Sequence, residues 1–331
     1  MEFMGFLKIV AGKTVSLTTI PGEPPLLLES SLKEKTGQLL ITGFEGTTLN
    51  PGMRDLIVNR GIGGVILFER NYQDPEQLSH MIGEMQELAL SQTGGVPLFI
   101  SVDQEGGRVS RLKKPFSAFP FQSFLGKAGS EDLAFRFGQA LGLELSKVGI
   151  NVDYAPVLDA NTNPDNPIIG ERAISDQPET TARLGLAVIR GFLASGVLPV
   201  GKHFPGHGDT SLDSHLDLPV VQKAADQLER EELVPFVRAI HEDLPLLMTA
   251  HVVYPAWDDK VPATFSKFIL RDILRKRLGY QGLVVSDDLE MKAVQDHLQF
   301  EYLAELGLEA GLDLFMICQN TGKTIALQEQ M

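Results

Sequence analysis

The sequence of 331 residues predicts a single (β/α)8 barrel of the TIM type. Three observations favour this fold class. Eight short apolar runs of strand length follow residue 34, and segments with helical periodicity lie between most of them. The runs are apolar throughout rather than alternating, as expected for parallel strands that are covered on both faces. Eight such units in about 280 residues match the usual length of this barrel.

The eight apolar runs are the predicted barrel strands. An open, doubly wound parallel sheet shows the same alternation of strands and helices, and it is the rival fold on pattern alone. In chain order the runs are Gln38–Thr42, Gly64–Phe68, Pro97–Val102, Asn151–Leu158, Leu198–Lys202, Leu246–Ala250, Gly282–Val285 and Leu312–Ile317.

The helices between the strands are predicted from capping residues and apolar faces. Asp74 is placed to cap the first of them, Pro75 suits its first turn, and apolar residues recur on one face. Glycines stand where several of the others should end. The predicted helices are Asp74–Leu90, Ser130–Val148, Pro178–Ser195, Ala224–Asp243, Ser266–Leu278 and Met291–Ala310.

The two ends of the chain differ from this regular pattern. Residues 1–34 have little periodicity and contain several prolines, which indicates an N-terminal arm before a catalytic domain over residues 35–331. After the last strand, Thr321–Met331 has room for at most about three helical turns. We therefore expect either an incomplete eighth helix or an arm that covers the gap.

Composition excludes several classes of protein. A net charge of −14 and a pI near 5 argue against a nucleic-acid-binding surface. Cys318 is the only cysteine, which excludes an intrachain disulfide and a thiolate metal cluster. The apolar run near the N-terminus is too short for a membrane span and lacks the features of a signal peptide. We expect a cytoplasmic, monomeric protein with no nucleic-acid or membrane partner.

Polar and ionisable side chains gather just after the apolar runs. Because active sites of (β/α)8 barrels lie at the carboxyl ends of the strands, this placement predicts the catalytic face. The Glu105-Gly106-Gly107 turn lacks the spacing of a phosphate-binding loop. The strand-end groups are Asp103-Gln104-Glu105, Asp159, Lys202-His203, His251 and Asp287-Asp288.

The stretch Lys202–Pro219 concentrates groups that transfer protons. It contains three His, three Asp and one Lys, and its glycines and prolines keep it a loop. Its tightest piece is Asp213-Ser214-His215, a spacing that lets the carboxylate orient the imidazole across a turn. We interpret His215 as a general acid/base and Asp213 as the partner that fixes its tautomer. An Asx-turn beside a solvated histidine is the alternative interpretation.

A second acidic group follows the seventh apolar run. Asp287 at a strand end is placed to act as a carboxylate nucleophile in the barrel mouth, while a helix N-cap is the alternative role, which Asp288 could equally fill. Asp103, Arg111 and Arg172 are candidates for holding sugar hydroxyls or an anionic group, with rim ion pairs as the alternative. Together these residues indicate hydrolysis of a polar substrate.

The histidine-rich loop also leaves a metal-dependent hydrolase open as an alternative function. His203, His207, Asp209, Asp213 and His215 carry atoms of the kind that bind zinc. The chain has no His-Glu-x-x-His pattern, however, and a loop rich in Gly and Pro does not hold ligands at a regular spacing. We expect no metal ion and no other cofactor.

Six segments resemble the motifs of the glycoside hydrolase family 3 β-N-acetylhexosaminidases, of the small bacterial type that trims N-acetylglucosamine from peptidoglycan fragments. They occur in the order of the family's motifs and, with the sequence between them, span nearly everything from residue 36 to residue 320. The segments are Gly63–Asn71, Asp103–Leu112, Ile169–Ala173, Lys202–Gly208, Asp213–His215 and Val285–Leu289.

The resemblance implies a role for each matched residue. Asp287 corresponds to the nucleophile, His215 to the acid/base and Asp213 to its partner. The family fold is a (β/α)8 barrel, its mechanism is retaining, and it needs no metal or other cofactor. Residues that correspond to those holding the non-reducing sugar are Asp103, Arg111, Arg172, Lys202 and His203.

The implied function is therefore a retaining β-N-acetylhexosaminidase whose covalent intermediate forms on Asp287. Many larger family members supply a Glu acid/base from a second domain, a role that the Asp-Ser-His loop takes here. One departure is Arg172-Ala173-Ile174, where the family motif usually reads Arg-Ser-Phe. A neutral His215 also tolerates an approaching anion such as phosphate, which would make the enzyme a phosphorylase variant. A family 3 β-glucosidase is a further alternative.

Overall fold

A computed structural model describes residues 31–92 and 95–331 of the chain. Most of the predicted N-terminal arm lies outside these residues. The strands are β1 (Leu40–Thr42), β2 (Gly64–Leu67), β3 (Phe99–Val102), β4 (Gln104–Gly106), β5 (Val109–Ser110), β6 (Val152–Asp153), β7 (Leu198–Phe204), β8 (Leu246–Thr249), β9 (Leu283–Asp288) and β10 (Leu314–Ile317).

Eight of these strands form a closed parallel barrel in the order β1-β10-β9-β8-β7-β6-β3-β2, with β2 returning to β1. The (β/α)8 prediction is confirmed, and closure excludes the open doubly wound sheet. Strands β4 and β5 form a separate antiparallel pair just after β3.

Each predicted apolar run overlaps one barrel strand. The largest difference is in the fourth run, where only Val152–Asp153 forms a regular strand. Pro156 lies inside this run and has no N–H group to donate to a neighbouring strand. The run regains a single parallel bridge at Val157, opposite Lys202.

Helices surround the barrel, and the six predicted helical regions are all helical in at least part of their length. Within the predicted helix Ser266–Leu278, residues Phe268–Arg277 form a π-helix. The α-helices are α1 (Leu32–Gly37), α2 (Pro51–Val58), α3 (Pro75–Gln92), α4 (Ser123–Ala128), α5 (Glu131–Lys147), α6 (Pro178–Ala194), α7 (Ala225–Arg230), α8 (Leu233–His241), α9 (Lys292–Gln295), α10 (Leu303–Ala310) and α11 (Thr321–Gln330).

Two regions predicted as single helices are interrupted. The region 224–243 divides between α7 and α8 because Pro235 would clash with the carbonyl group of Glu231 in a continuous helix. The region 291–310 divides into α9, a 3₁₀ turn and α10. Leu298 and Phe300 both pack against the core there, although residues two apart lie about 200° apart around an ideal helix.

Alternate strand residues face the inside and the outside of the barrel. Ile41, Ile66, Val200 and Val285 belong to a buried cluster made almost entirely of residues from the barrel strands and their ends, which fills the interior. Their strand neighbours pack instead with buried residues of the surrounding helices. This two-layer core is what makes each strand apolar along its whole length.

The last helix closes the barrel despite its short length. Helix α11 contains ten residues, and its Thr324 hydroxyl lies 2.8 Å from that of Thr42 on β1. Gln328 donates a hydrogen bond to the carbonyl group of Lys33 in α1 at 2.8 Å. The expected gap after β10 is therefore covered by α11 and α1 together.

No helix within residues 31–92 or 95–331 combines the length and the apolarity needed to cross a bilayer.

Helices α5 and α6 approach each other closely through facing glycines, which yields a prediction about stability. A Cβ atom at Gly138 would lie 2.3 Å from the carbonyl oxygen of Val188, whereas one at Gly83 on α3 would meet nothing within 4 Å. We expect Gly138→Ala to lower the free energy of unfolding by about 1–3 kcal/mol. Gly83→Ala should raise it by roughly 0.5–1 kcal/mol, since alanine restricts the unfolded chain. Urea denaturation of both variants measures the difference, and effects of the same sign would contradict this packing.

Candidate active site

One cleft at the carboxyl ends of the barrel strands collects most of the predicted site residues. Residues of β7 and β9, and residues in the segments that follow β3 and β7, line this cleft. Asp213 does not line the cleft itself, but it contacts His215, which does. The predicted residues that line it directly are Asp103, Arg111, Arg172, Lys202, His203, His215 and Asp287.

A buried network of charges forms the floor of the cleft. Lys202 Nζ lies 2.7 Å from Asp103 Oδ1 and 2.7 Å from Glu105 Oε1. Arg172 donates two hydrogen bonds to Glu105, at 2.8 and 2.9 Å. Burial alone would raise the pKa of Glu105, but the charges of Arg172 and Lys202 hold it well below its usual value. Glu105 is therefore an anion that fixes both cations.

Asp103 and Arg111 form the more exposed edge of this network. Arg111 Nη2 lies 3.8 Å from Asp103 Oδ2, and its guanidinium group is 5.7 Å from the ring centroid of Phe68. The side chain of Arg111 is 34% exposed, against 8% for Arg172 and 2% for Lys202. Asp103 and Arg111 can therefore reach a ligand with the least rearrangement.

His203 is oriented by Asp159, a strand-end carboxylate to which the sequence assigned no role. Asp159 Oδ2 lies 2.7 Å from His203 Nδ1, and Asp159 Oδ1 accepts hydrogen bonds from the backbone N–H groups of His203 and His207. Burial opposes the charged form of Asp159, but His203 and the donors from His207 lower its pKa. With Nδ1 engaged, His203 keeps Nε2 for the cleft.

Asp287 lies at the carboxyl end of β9 and is ionised. Burial would raise its pKa, but His203, His251 and the backbone N–H of Asp288, which donates to Asp287 Oδ1 at 2.8 Å, lower the pKa below its usual value. His251 itself is buried between the Thr264 hydroxyl and the backbone carbonyl group of Asp288. Asp287 therefore has the charge that a nucleophile requires.

The adjacent Asp288 has the opposite environment. Burial, reinforced by the neighbouring charge of Asp287, raises the pKa of Asp288 to about 6. Its Oδ1 accepts hydrogen bonds from the N–H groups of Glu290 and Cys318 rather than capping a helix. Asp288 shapes the turn after β9, and the two adjacent carboxyl groups differ in acidity.

Asp213 and His215 are in hydrogen-bond contact. Asp213 Oδ1 lies 2.8 Å from His215 Nδ1 and accepts a hydrogen bond from the His215 backbone N–H at 2.9 Å. Burial would raise the pKa of Asp213, but these contacts lower it. The His215 side chain is 60% exposed and lines the same cleft as Asp287. An imidazole with a fixed tautomer thus shares a cavity with an ionised carboxylate.

The other loop histidine has a structural position. His207 is buried, with Nδ1 2.8 Å from the Thr210 hydroxyl and Nε2 3.1 Å from the Ser214 hydroxyl. Burial and the neighbouring His203 lower the pKa of His207 to about 4, so it is neutral at neutral pH. In residues 31–92 and 95–331, His, Cys, Asp and Glu side chains form no group with the geometry of a metal site.

Among the described residues, one buried carboxyl group below the cleft forms no ion pair. Asp153 on β6 accepts a hydrogen bond from the Gln104 N–H at 2.9 Å, whereas its Oδ2 has no hydrogen-bond partner among the described residues. Burial, only partly offset by Gln104 and Lys202, raises the pKa of Asp153 well above its usual value. Asp153 is therefore held as the neutral acid.

Comparisons with known proteins show the family of this chain. Residues 31–331 match the family described as the N-terminal domain of glycosyl hydrolase family 3. A β-hexosaminidase of Alkalilimnicola ehrlichii is 40% identical over 287 residues, which cover 85% of this chain and 80% of that protein. β-Hexosaminidase A of Pseudoalteromonas piscicida is 39% identical over 82% of this chain. The chain spans only 48% of that longer relative.

Solved structures show the same fold. A family 3 β-N-acetylglucosaminidase from Paenibacillus superposes with a TM-score of 0.89 at 42% identity, covering 91% of this chain and 57% of that one. NagZ from Neisseria gonorrhoeae, solved in complex with N-trifluoroacetyl-D-glucosamine, superposes with a TM-score of 0.80 at 35% identity. That match covers 88% of this chain and 84% of the Neisseria chain.

The neutral state of Asp153 predicts how stability varies with pH. The folded protein keeps this proton above pH 3.8, the ordinary pKa, where the unfolded chain loses it. Asp153 therefore makes the free energy of unfolding fall as pH rises, by at most about 1.4 kcal/mol per pH unit. Asp153→Asn removes this dependence, so the variant should gain stability relative to the wild type between about pH 4 and the folded pKa.

Urea denaturation of both proteins across this pH range measures the difference. The matched control is Asp159→Asn, because the pKa of Asp159 is lowered and its charge accepts three hydrogen bonds. That variant should lose stability at neutral pH and lose less at low pH. Parallel curves for the wild type and Asp153→Asn would contradict a protonated Asp153.

Proposed function

The chain belongs to glycosyl hydrolase family 3, and we propose that it is a retaining β-N-acetylhexosaminidase. It removes terminal β-linked N-acetylglucosamine from glycosides, including peptidoglycan fragments. Relatives named β-hexosaminidase and a structural neighbour solved with an N-acylated glucosamine support the substrate class. The observation that carries the proposal is the Asp213–His215 pair in the same cleft as the ionised Asp287.

In the first step Asp287 attacks the anomeric carbon of the bound sugar. The carboxylate forms a covalent bond to that carbon as the bond to the leaving oxygen breaks. Although burial would raise its pKa, contacts with His203, His251 and the backbone N–H of Asp288 lower the pKa of Asp287 and keep it ionised before the attack. Since β9 holds Asp287 by backbone hydrogen bonds, the nucleophile is placed by the barrel itself.

His215 supplies the proton that the leaving oxygen needs. Its Nδ1–H group donates to Asp213, which leaves Nε2 to give a proton to the departing oxygen. In the second step Nε2 takes a proton from water, the water oxygen bonds to the anomeric carbon, and Asp287 is released as a carboxylate. His215 is an imidazolium ion before it protonates the leaving oxygen and again after it has taken a proton from water. The negative charge of Asp213 stabilises this ion.

The sugar is held on the charged floor. Asp103 and Arg111 offer partly exposed atoms to its hydroxyl groups, and His203 offers the nitrogen that Asp159 leaves free. Lys202 and Arg172 contribute the N–H groups that Asp103 and Glu105 do not occupy. Bidentate and charge-assisted hydrogen bonds of this kind give both affinity and orientation.

The acid role of His215 predicts a dependence on the leaving group. His215→Ala should slow hydrolysis of N-acetylglucosamine disaccharides by about 10²–10⁴-fold, because their alkoxide leaving groups need a proton. The 2,4-dinitrophenyl glycoside leaves without protonation, so its first step should change little. Pre-steady-state rates for both substrates provide the measurement, with Asp213→Ala expected to show the same pattern. Equal losses on the two substrates would rule out His215 as the acid.

The nucleophile role of Asp287 predicts a loss that no leaving group rescues. Asp287→Ala should lower kcat at least about 10⁴-fold on both substrates, as removal of a covalent nucleophile does elsewhere. A 5-fluoro derivative of the N-acetylglucosaminyl fluoride should label the wild type once, at Asp287, as read by peptide mass spectrometry. Asp288→Asn is the matched neighbour and should still be labelled. Labelling at any other residue overturns the assignment.

A further inference from the structure

The loop that presents His215 is held almost without apolar contacts. In this His215 loop, residues 211–218, only Ser214 is buried. Leu212 and Leu216, on either side of the Asp213-Ser214-His215 triplet, are 48% and 68% exposed. Burial of apolar surface is the main force that fixes a loop on a domain. The position of His215 must therefore depend on polar contacts.

Two sets of polar contacts hold the loop, one on each side of His215. Before it, the Ser214 hydroxyl lies 3.1 Å from His207 Nε2, and the Ser214 carbonyl group accepts a hydrogen bond from the Ala293 N–H at 3.3 Å. After it, Asp217 Oδ1 lies 2.8 Å from His297 Nε2. The imidazole of His215 is thus bracketed by attachments at positions 214 and 217.

Two of these attachments end on the segment that continues from the nucleophile. Ala293 lies in α9, and His297 follows that helix with its backbone N–H bonded to the Val294 carbonyl group at 3.2 Å. Ala293 and Val294 are buried, so this segment is anchored in the core. It begins a few residues after Asp287. The contacts therefore set the distance between the loop and the strand that carries the nucleophile.

We propose that Asp217 and His297 are positioning residues that hold the His215 loop over the cleft. This inference rests on the proposed acid/base role of His215. Asp213 orients the imidazole within the loop, whereas the Asp217–His297 contact orients the loop relative to Asp287. Loss of the contact leaves the Asp213–His215 pair intact but lets it move away from the leaving oxygen. A small displacement of a catalytic group is enough to slow proton transfer.

The expected effect is modest because the contact is partly exposed. The side chains of His297 and Asp217 are 39% and 60% exposed, and exposed pairs shift an equilibrium by roughly two- to fivefold. His297→Ala should therefore lower kcat on N-acetylglucosamine disaccharides about two- to fivefold. KM for the same substrates should not change, since neither residue lines the cleft. The first step with the 2,4-dinitrophenyl glycoside should be unaffected.

Three further variants separate positioning from general damage. Asp217→Ala should match His297→Ala, and the double variant should be no slower than either, because both remove the same contact. His297→Gln keeps a donor near the position of Nε2 and should recover most of the rate. His80→Ala, an exposed histidine on α3, is the matched control and should behave as the wild type. Additive losses, or a His297→Gln variant as slow as His297→Ala, would overturn the proposal.

Hydrogen exchange tests the same contact without any assay of activity. Backbone amides of residues 211–218 should exchange about two- to fivefold faster in His297→Ala, while those of α3 stay unchanged. His215→Ala, measured on both substrates beside these variants, separates the two proposals. If His215→Ala shows no dependence on the leaving group, the proposed function fails. If it does, and His297→Ala changes neither exchange nor kcat, only the positioning role fails.

Discussion

The cleft depends on one buried arrangement of charge, in which Glu105 holds Lys202 and Arg172 together beneath it. A buried ion is costly unless it is paired and hydrogen-bonded, and removal of one partner leaves the others uncompensated. Glu105 lies after β3, Arg172 in the turn after β6, and Lys202 within β7. The network therefore fixes the ends of three strands relative to one another, and it places Asp103 at the surface of the cleft with one oxygen on Lys202.

Above this floor, each histidine is controlled by the partner of its second nitrogen. Asp159 holds His203, Asp213 holds His215, and the Thr264 hydroxyl holds His251. A fixed partner sets the tautomer, and the tautomer decides whether the other ring nitrogen donates or accepts a hydrogen bond. His203 and His251 also help to lower the pKa of Asp287 against the effect of burial, while burial and the charge of Asp287 make the adjacent Asp288 a weaker acid. Two neighbouring carboxyl groups thereby acquire different acidities.

The strands and the catalytic face were predictable because each depends on local sequence. A strand covered on both faces must be apolar throughout, and ionisable residues directly after such runs can only lie at the carboxyl edge of the barrel. Glu105, Asp159 and His251 stood at these positions, yet their surroundings depend on partners that lie 13 to 67 residues further along the chain. No spacing within the chain encodes those pairings. The break between α7 and α8, in contrast, could have been predicted from Pro235.

The proposed nucleophile and the proposed acid are held by different physical means, and the proposed chemistry gives a reason for the difference. In that mechanism Asp287 attacks one fixed carbon, so a rigid strand serves it well. His215 would first donate a proton to a departing group and later accept one from a water molecule that takes the place of that group. A loop held by polar contacts, with exposed Leu212 and Leu216, can yield to leaving groups of different size. The same loop must still return to one position, which a few directional hydrogen bonds to Ser214 and Asp217 define.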